Sequence, residues 1–547
     1  MKAELLTTLN KNGNTADGKF SVRSFFIRKY IMKNKKILKT ALGTVTAFLI
    51  GISAVPSAAA AAQGIIGIKG DINCDNILNV ADLVAMEQYL IGGHEISERG
   101  SQLGSFDDDG EINSLDLAIM RKYLTSQLPV EYQYGDDIQH EFISPPIYDM
   151  YGSLPSHGDA RMAVFHVDFP DCSFETDVTD EQIKNVLFGE ERKKYNTNYP
   201  NESISAFYKR ASKGVMALDG EVYSYTARYN KSFYENDVYK TKIIDDVISG
   251  MDSKVDFSSF DGDGDRVVDA VLILVPNSAG NDNWWPAAGV YTGLYKIVDN
   301  VKIGHVIVGN EELYDDISYS GFTSTYTHES THCMGIPDYY LYSTDDFEGL
   351  RGEGGFELMD EVRADLSAVS KLMLGWFRED QVMVFGDYEY QTFTLKNGQT
   401  DDGNCVIIPY GKLDDKYRSE FLVIEYTTLD ENNSAVPNEY WWEKSGEGIR
   451  IFHVDAEVDP NDYWKMFMYD NANLNRNENN INRRFIRITE NYKDSDNLYT
   501  TGRVIDYKTE GFAFYDSYGL ETVDPGVIIT VGELTDDGYT ITIKKKG

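Results

Sequence analysis

The chain has 547 residues, of which 42% are hydrophobic and 13% aromatic; this allows about three or four domains and excludes disorder throughout. Its formal net charge of -37 disfavours nucleic acid and anionic membrane surfaces as partners, because both attract basic proteins. Four cysteines are too few for a disulfide framework to carry a chain of this size.

Residues 32–62 have the features of a secretory signal peptide. Four lysines between residues 33 and 39 precede an uncharged, largely apolar stretch at 41–55, and a run of alanines then offers cleavage sites. A membrane anchor is the alternative, but a span needs about 20 apolar residues. We therefore expect a leader at 1–62, with Met32 as the better initiator, and an exported protein without membrane contact after cleavage. Removing the leader, which holds ten Lys or Arg and two Asp or Glu, changes the formal charge from -37 to -45.

Two twelve-residue loops, 34 residues apart, repeat one pattern, and each runs into a segment with helical periodicity. Oxygen-bearing side chains occupy positions 1, 3, 5, 9 and 12, and a backbone carbonyl at position 7 completes an EF-hand-type calcium loop. Ser105 at position 1 of the second loop should weaken that site. Ordinary acidic turns are the alternative, which the repeat disfavours. The predicted calcium ligands are Asp71, Asn73, Asp75, Ile77, Asn79 and Asp82 in the first loop, and Asp107, Asp109, Glu111, Asn113 and Asp116 in the second.

A duplicated loop and helix with aspartate at position 12 resembles the dockerin module, over residues 64–128. The resemblance implies a small all-α, EF-hand-like domain that binds one or two Ca²⁺ ions and docks onto a cohesin domain of a scaffoldin. Positions 10 and 11 help to select the cohesin in this family. In the first loop they are the apolar Val80 and Ala81, so the choice of partner stays open. The implied location is extracellular, in a cell-surface or cellulosome-type complex.

The rest of the chain divides into three segments by composition and pattern. Residues 129–160 are polar, with two adjacent prolines and several glycines, and predict a linker. Residues 161–380 alternate strand-like and helix-like runs, which is typical of an α/β core. Residues 381–547 contain short alternating strands and predict a β-rich lobe packed on that core.

The segment HESTHCMGIPD at residues 328–338 has the spacing of a zinc site. Histidines at i and i+4 share one helix face, so His328 and His332 can bind one Zn²⁺ ion. Glu329 is placed to act as general base towards the zinc-bound water. A glycine and a proline then end the helix, so the turn can bring Asp338 to the metal as third ligand and leave the fourth position for water.

Several assignments around this motif have alternatives. A solvated helix with two histidines is the alternative to a zinc site, but only 8 histidines occur in the chain, so chance agreement is rare. Glu357 is an alternative third ligand. Met359 predicts a hydrophobic floor beneath the zinc, with a plain core methionine as the alternative. His453, between apolar strand residues, is either a hydrogen-bonded core residue or a group that binds substrate or the oxyanion.

The extended pattern H-E-x-x-H-x-x-G-x-x-D resembles the secreted bacterial metallopeptidases of the immune inhibitor A type. The likeness runs with gaps from about residue 145 to 547, and its main departure is Cys333 beside the second histidine. It implies a zincin- or metzincin-like α/β core with one catalytic zinc that hydrolyses peptide bonds in proteins or peptides. Other segments that resemble the family lie at residues 162–170, 202–227, 255–272, 357–360, 370–376, 421–426 and 448–455.

Four aspartates within the α/β segment follow the pattern D-x-D-x-D-x-x-x-D: Asp261, Asp263, Asp265 and Asp269. Glycines between the first three allow a tight wrap, which suits a structural calcium ion. An aspartate-rich turn without a metal is the alternative.

Together these features predict a secreted zinc endopeptidase that a dockerin attaches to a scaffoldin. A catalytically inactive peptidase fold that only binds proteins is one alternative, and the intact Glu329 disfavours it. A carbohydrate-active enzyme is another, and the zinc motif disfavours that.

Overall fold

The computed structural model shows a mixed α/β protein with several sheets. The chain divides into two compact units, one within Gly43–Glu141 and the other over Phe142–Gly547. Among the helices of the described residues, none has the length and apolar character that crossing a bilayer requires. The structure describes residues 65–547 except for 74–77, 94–95, 107–111, 127–131, 135–140, 148–151, 175–177, 192–197, 277–283, 291–295, 312–315, 341–356, 361–363, 387, 439–445, 460–465, 470, 472–482, 491–497 and 517–520.

The smaller unit is built on the duplicated segment. Its two long helices belong to the two repeats, and Met86 and Met120, which are 34 positions apart, are both fully buried in its core. An ion pair between Glu87 and Arg121 also joins equivalent positions of the repeats. The described elements are β1 (Ile65–Ile68), α1 (Val80–Leu90), α2 (Glu98–Gly104), α3 (Ser114–Ser126) and β2 (Tyr132–Tyr134), with β1 antiparallel to β2.

The larger unit begins with a sheet of order β4-β3-β5-β8-β6, in which the first four strands are parallel and β6 runs antiparallel to β8. Alternation along β5 separates two cores: Val271, Ile273 and Val275 face one, and Leu272 and Leu274 face the other. The strands are β3 (Gly158–Asp168), β4 (Met216–Thr226), β5 (Val267–Pro276), β6 (Ala287–Val290), β7 (Ile297–Val298, beside β8) and β8 (Val301–Glu311).

Helices cover both faces of this sheet. The amphipathic α7 buries its isoleucines and valine on one face, whereas α4, α5, α8 and α9 contribute to the core on the other face. Side-chain caps fix three of the starts, with Thr179 before α4, Ser203 before α5 and Ser367 before α9. The described helices are α4 (Asp180–Phe188), α5 (Ile204–Ala211), α6 (Lys231–Glu235), α7 (Thr241–Met251), α8 (Asp316–Cys333) and α9 (Ala368–Met373).

The C-terminal part of this unit contains two further sheets, of order β14-β13-β12-β11-β9 and β10-β19-β18-β15, and the pair β16–β17. Phe421 and Val423 of β12 belong to the same core as Leu272 of the first sheet, so this part packs on the α/β part. The strands are β9 (Val382–Val384), β10 (Tyr390–Leu395), β11 (Cys405–Pro409), β12 (Glu420–Thr427), β13 (Gly448–Asp455), β14 (Ile486–Ile488), β15 (Val504–Ile505), β16 (Phe514–Tyr515), β17 (Thr522–Val523), β18 (Val527–Thr535) and β19 (Gly538–Lys545).

The predicted linker at 129–160 is wrong for much of its length. Its first part contributes β2 to the smaller unit. In its second part, Ile143, Ile147 and Leu154 are buried in the core of the larger unit, and the N–H of Ile143 donates to the carbonyl of Phe377 at 3.0 Å. The segment is mostly polar, so its composition did not indicate that these few apolar residues are buried. Their burial depends on contacts with residues far along the chain.

Candidate metal centre

The helix α8 carries the predicted site although serine and threonine make it a poor helix by propensity. The hydroxyls of Thr327, Ser330 and Thr331 donate to carbonyls four residues earlier in the same helix, at 2.6–2.9 Å. These side chains are buried, and Tyr208 of α5 donates to the carbonyl of Thr327 at 2.9 Å. Tertiary packing therefore holds the helix that its own propensity does not favour.

His328, His332 and Asp338 come together at the C-terminal end of α8. Nε2 of His328 lies 3.0 Å from Oδ1 of Asp338, and Nε2 of His332 lies 3.1 Å from the same oxygen. One ligand atom from each residue lies within 4.8 Å of the others. Gly335, with a φ of 101°, reverses the chain after the helix, and this turn returns Asp338 to the two histidines.

Backbone carbonyls determine how the two imidazoles are oriented. Nδ1 of His328 donates to the carbonyl of Leu358 at 2.8 Å, and Nδ1 of His332 donates to that of Ile336 at 2.7 Å. With a proton on Nδ1, a neutral imidazole presents its Nε2 lone pair to the cluster. At 3.0–3.1 Å these lone pairs face an oxygen that is also an acceptor, so a proton or a metal ion must lie between them.

The charges of the cluster also favour a cation. Burial opposes protonation of His332, but the Asp338 and Glu329 carboxylates outweigh it and raise the pKa of His332 to about 9. Burial also opposes ionisation of Asp338, yet the two imidazoles hold the pKa of this carboxyl well below its usual range. Two imidazole nitrogens and one carboxylate oxygen are a donor set that fits Zn²⁺, with a fourth position for water.

Glu329 lies beside the cluster and is 8% exposed. Its Oε2 accepts from the backbone N–H of Ala288, in strand β6, at 2.6 Å. Burial raises the pKa of Glu329, although the charges of His332 and His328 oppose this shift. A carboxylate whose pKa is moved towards neutrality is suited to take and return a proton.

Met359 lies in the short 3₁₀ turn Leu358–Asp360, directly after the carbonyl that orients His328. Its side chain is fully buried in the core, and its carbonyl accepts from the N–H of Tyr339 at 2.9 Å. The turn thus supports the candidate metal-binding segment at two points. Met359 contributes packing to this support, which fits a plain core methionine as well as a hydrophobic floor.

Glu357 and His453 both have partners away from the cluster. The carboxylate of Glu357 accepts from the N–H of Ser367 at 2.7 Å and from the hydroxyl of Ser370 at 2.8 Å, so Asp338 is the better third ligand. His453 is fully buried, and its Nε2 lies 2.8 Å from Oε1 of Glu420 on the neighbouring strand. Within the described residues, the contacts of His453 are those of a core histidine and do not reach the three-residue cluster.

Ser153 and His305 support the end of α8 but carry no recognisable sequence signal. The N–H of Ser153 donates to the carbonyl of Cys333 at 2.8 Å, and its hydroxyl lies 3.0 Å from Nδ1 of His305. Burial lowers the pKa of His305 to about 3, with a further contribution from the charge of His332. The Cys333 side chain is buried in the core, and burial raises the pKa of its thiol well above the usual range, so it acts in packing.

In the aspartate loop at residues 261–269, only three of the four predicted calcium ligands lie close together. Oxygens of Asp261, Asp263 and Asp265 lie within 4.8 Å of one another. Asp269 is fully buried instead, and its carboxylate accepts from the N–H groups of Arg161 and Gly262 at 2.7 and 3.1 Å. Asp269 therefore does not belong to the group of three, and burial raises its pKa to about 8. A calcium ion on the other three stays a prediction.

The two loops of the smaller unit show matching contacts. The carboxylate of Asp82 accepts from the N–H of Asn79, and that of Asp116 from the N–H of Asn113, both at 2.9 Å. Asp71, Asp82 and Asp116 are fully buried, whereas Asn73 is exposed. The remaining predicted ligands lie outside the described residues, namely Asp75, Ile77, Asp107, Asp109 and Glu111, as does the predicted leader.

Comparison with known families identifies the smaller unit. The dockerin type I domain family matches residues 69–125, within the predicted limits of 64–128. The prediction of a dockerin is therefore confirmed; it implies calcium binding and attachment to a cohesin-bearing scaffoldin in an extracellular, cellulosome-type complex. No curated protein matches the chain.

We expect calcium to bind the dockerin through the carboxylates of its loops. Replacing Asp71 and Asp75 together by alanine removes two ligands of the first loop, so calorimetric titration with Ca²⁺ should lose one site from the stoichiometry. Asp402→Ala, at a partly exposed carboxylate of the other unit, should leave the titration unchanged. An unchanged titration of the double variant would show that the first loop does not bind calcium.

Proposed function

We propose that the larger unit is a zinc-dependent endopeptidase of the immune inhibitor A type, with a zincin-like core, which the dockerin holds on a scaffold outside the cell. One observation carries this proposal: the imidazoles of His328 and His332 and the carboxylate of Asp338 converge beside the buried carboxylate of Glu329. A zinc site with three ligands and an adjacent general base is able to hydrolyse an amide.

In the proposed mechanism, some residues of this site bind the zinc ion and another transfers the proton. A bound zinc ion supplies a Lewis acid that polarises the scissile carbonyl and makes a bound water more acidic. Glu329 accepts the proton of the attacking water and returns it to the leaving amine nitrogen. His328 and His332 keep their Nδ1 protons on backbone carbonyls, so they act as fixed ligands and do not transfer protons.

The competing functions have weaker support. In this site the backbone N–H of Ala288 holds the buried carboxylate of Glu329 beside the proposed ligands. A peptidase fold that only binds proteins does not need this arrangement. A glycoside hydrolase needs two carboxylates that face each other across a sugar ring. The cluster described here combines two imidazoles with one carboxylate, and this favours a metallopeptidase.

The dockerin part of the proposal concerns how the chain selects its scaffold. Val80, at position 10 of the first loop, is 64% exposed, and Leu115, at position 11 of the second loop, is 53% exposed. Apolar side chains this exposed at the start of α1 and α3 fit a protein-binding surface. We propose that they contact the cohesin, which would leave the peptidase unit free to act on proteins near the scaffold.

Removal of zinc should abolish peptide-bond hydrolysis. We expect 1,10-phenanthroline to stop the hydrolysis of casein by the full chain, and one equivalent of Zn²⁺ added after removal of the chelator to restore it. The isomer 1,7-phenanthroline, which does not chelate, is the matched control and should have no effect. Equal inhibition by the two isomers, or no inhibition by either, would contradict the proposal.

A further inference from the structure

Tyr339 follows the proposed ligand Asp338 in the chain. It is hydrogen-bonded both to the 3₁₀ turn Leu358–Asp360 and to α9. Its N–H donates to the carbonyl of Met359 at 2.9 Å, and its side chain is fully buried. Its hydroxyl lies 2.7 Å from Oγ of Ser370. Because Ser370 uses its own hydrogen to donate to Glu357, Tyr339 is the donor in this bond.

A third support comes from Asn471, in the β-rich part of the unit. Asn471 is 1% exposed, and its Nδ2 donates to the carbonyl of Tyr339 at 2.7 Å and to the carbonyl of Ile486, in β14, at 2.9 Å. Its Oδ1 accepts from the N–H of Ile486 at 3.3 Å. One side-chain amide therefore uses both donor hydrogens and its acceptor to join the metal-binding segment to β14.

Packing strengthens the same connection. The ring of Phe485, next to Ile486, contacts the ring of Tyr339 with centroids 5.5 Å apart, and both rings are fully buried. Oδ1 of Asp338 lies only 3.0 and 3.1 Å from the two imidazole nitrogens. A small displacement of the main chain at Tyr339 would therefore separate the carboxylate from the other two ligands.

We infer that Asn471 is a positioning residue for the metal site: its amide fixes the carbonyl of Tyr339 and thereby places Asp338 against the two histidines. The inference rests on the proposed zinc site. An aspartate at 471 would turn carboxylate oxygens towards the carbonyls of Tyr339 and Ile486, which can only accept, and both carbonyls would lose a donor. The β-rich part of the chain thus completes a site whose ligands all lie outside it.

The test compares zinc affinities of full-length variants by competition with a chromophoric chelator. Asn471→Asp should bind zinc about 10–100-fold more weakly than the wild type, as for other residues that orient metal ligands. Asn433→Asp is the matched control: Asn433 is 5% exposed, donates to the carbonyl of Thr428 at 3.0 Å and accepts from the N–H of Asp365 at 2.9 Å. Both variants should lower the unfolding temperature of the zinc-free protein, but only the first should weaken zinc binding.

The outcomes separate this inference from the proposed function. A folded Asn471→Asp whose zinc affinity stays within about twofold of the wild type overturns the inference, as does an equal loss in Asn433→Asp. If Asn471→Asp does not fold, zinc affinity is compared instead for Asn471→Ser, whose hydroxyl retains one hydrogen-bond donor. A wild-type chain that binds no zinc refutes the proposed function itself, whereas zinc binding that is insensitive to residue 471 refutes only the role of Asn471.

Discussion

Replacement of Glu329 by glutamine should lower kcat/KM for peptide hydrolysis by about 10²–10⁴-fold, the usual contribution of a positioned general base. Glutamine keeps the length of the side chain, and its amide oxygen can still accept from the N–H of Ala288, so the local structure should persist. It cannot take a proton from water. The loss should therefore appear in proton transfer, and zinc content and affinity should stay at the wild-type level because Glu329 is not a ligand.

The measurement combines hydrolysis of a fluorogenic peptide library with zinc content per chain. Glu533→Gln, at an exposed glutamate of β18, is the control for loss of one negative charge and should keep full activity. Equal activity of Glu329→Gln and the wild type would remove the general base from the mechanism. Loss of zinc together with activity would instead show that Glu329 is needed to hold the metal.

The clustering of the three proposed ligands could be predicted from sequence because its geometry is local. His328 and His332 are one helical turn apart, and Asp338 follows after a glycine turn, so an eleven-residue segment contains the three proposed ligands and the proposed general base. The groups that orient these residues could not be predicted. The carbonyl of Leu358 and the N–H of Ala288 are backbone groups, present in every residue, and only the fold brings them to the site.

Long-range burial accounts for what local patterns could not predict. Asp269 fits the calcium spacing as well as Asp261 does, but it lies at the start of the buried β5, where backbone N–H groups occupy its carboxylate. Asn471 is 132 positions from Tyr339 and belongs to no motif. Its proposed role depends on how β14 packs on the α/β part, which local patterns do not describe. The dockerin could be predicted for the opposite reason, since both its predicted calcium ligands and its core positions recur at a fixed interval along the chain.

The largest loss of stability should follow from breaking a buried ion pair of the α/β part that also contacts the β-rich part. Asp365 and Lys371 are each 4% exposed, and Oδ2 of Asp365 lies 2.6 Å from Nζ of Lys371. Asn432 donates to Oδ1 of Asp365 at 3.0 Å, and Lys371 also donates to the carbonyl of Gly398 at 3.1 Å. The pair therefore ties α9 to two segments of the C-terminal part.

Asp365→Ala should lower the free energy of unfolding of the larger unit by about 3–5 kcal/mol, because it leaves the ammonium of Lys371 buried without its counter-charge. The double variant Asp365→Ala, Lys371→Met should recover much of this loss, since the buried ammonium of Lys371 is removed as well. Urea unfolding of the three proteins measures both effects. The control pair Lys396–Asp402 has the same N–O distance of 2.6 Å but side chains that are 36% and 56% exposed. Asp402→Ala should therefore cost only about 0–1 kcal/mol.

The same pair should make stability depend on pH in the acid range. Burial alone would raise the pKa of Asp365, but the charges of Lys371 and Lys213 outweigh it and hold this pKa below its usual range. The carboxyl of Asp365 thus loses its proton more readily in the folded state than in the unfolded chain, in which aspartates have a pKa of about 3.9. The stabilisation is complete above that pH and is lost as the pH falls towards the lower pKa of the folded state. Asp365→Asn should remove this part of the acid dependence, and an unchanged acid unfolding profile would contradict the assignment.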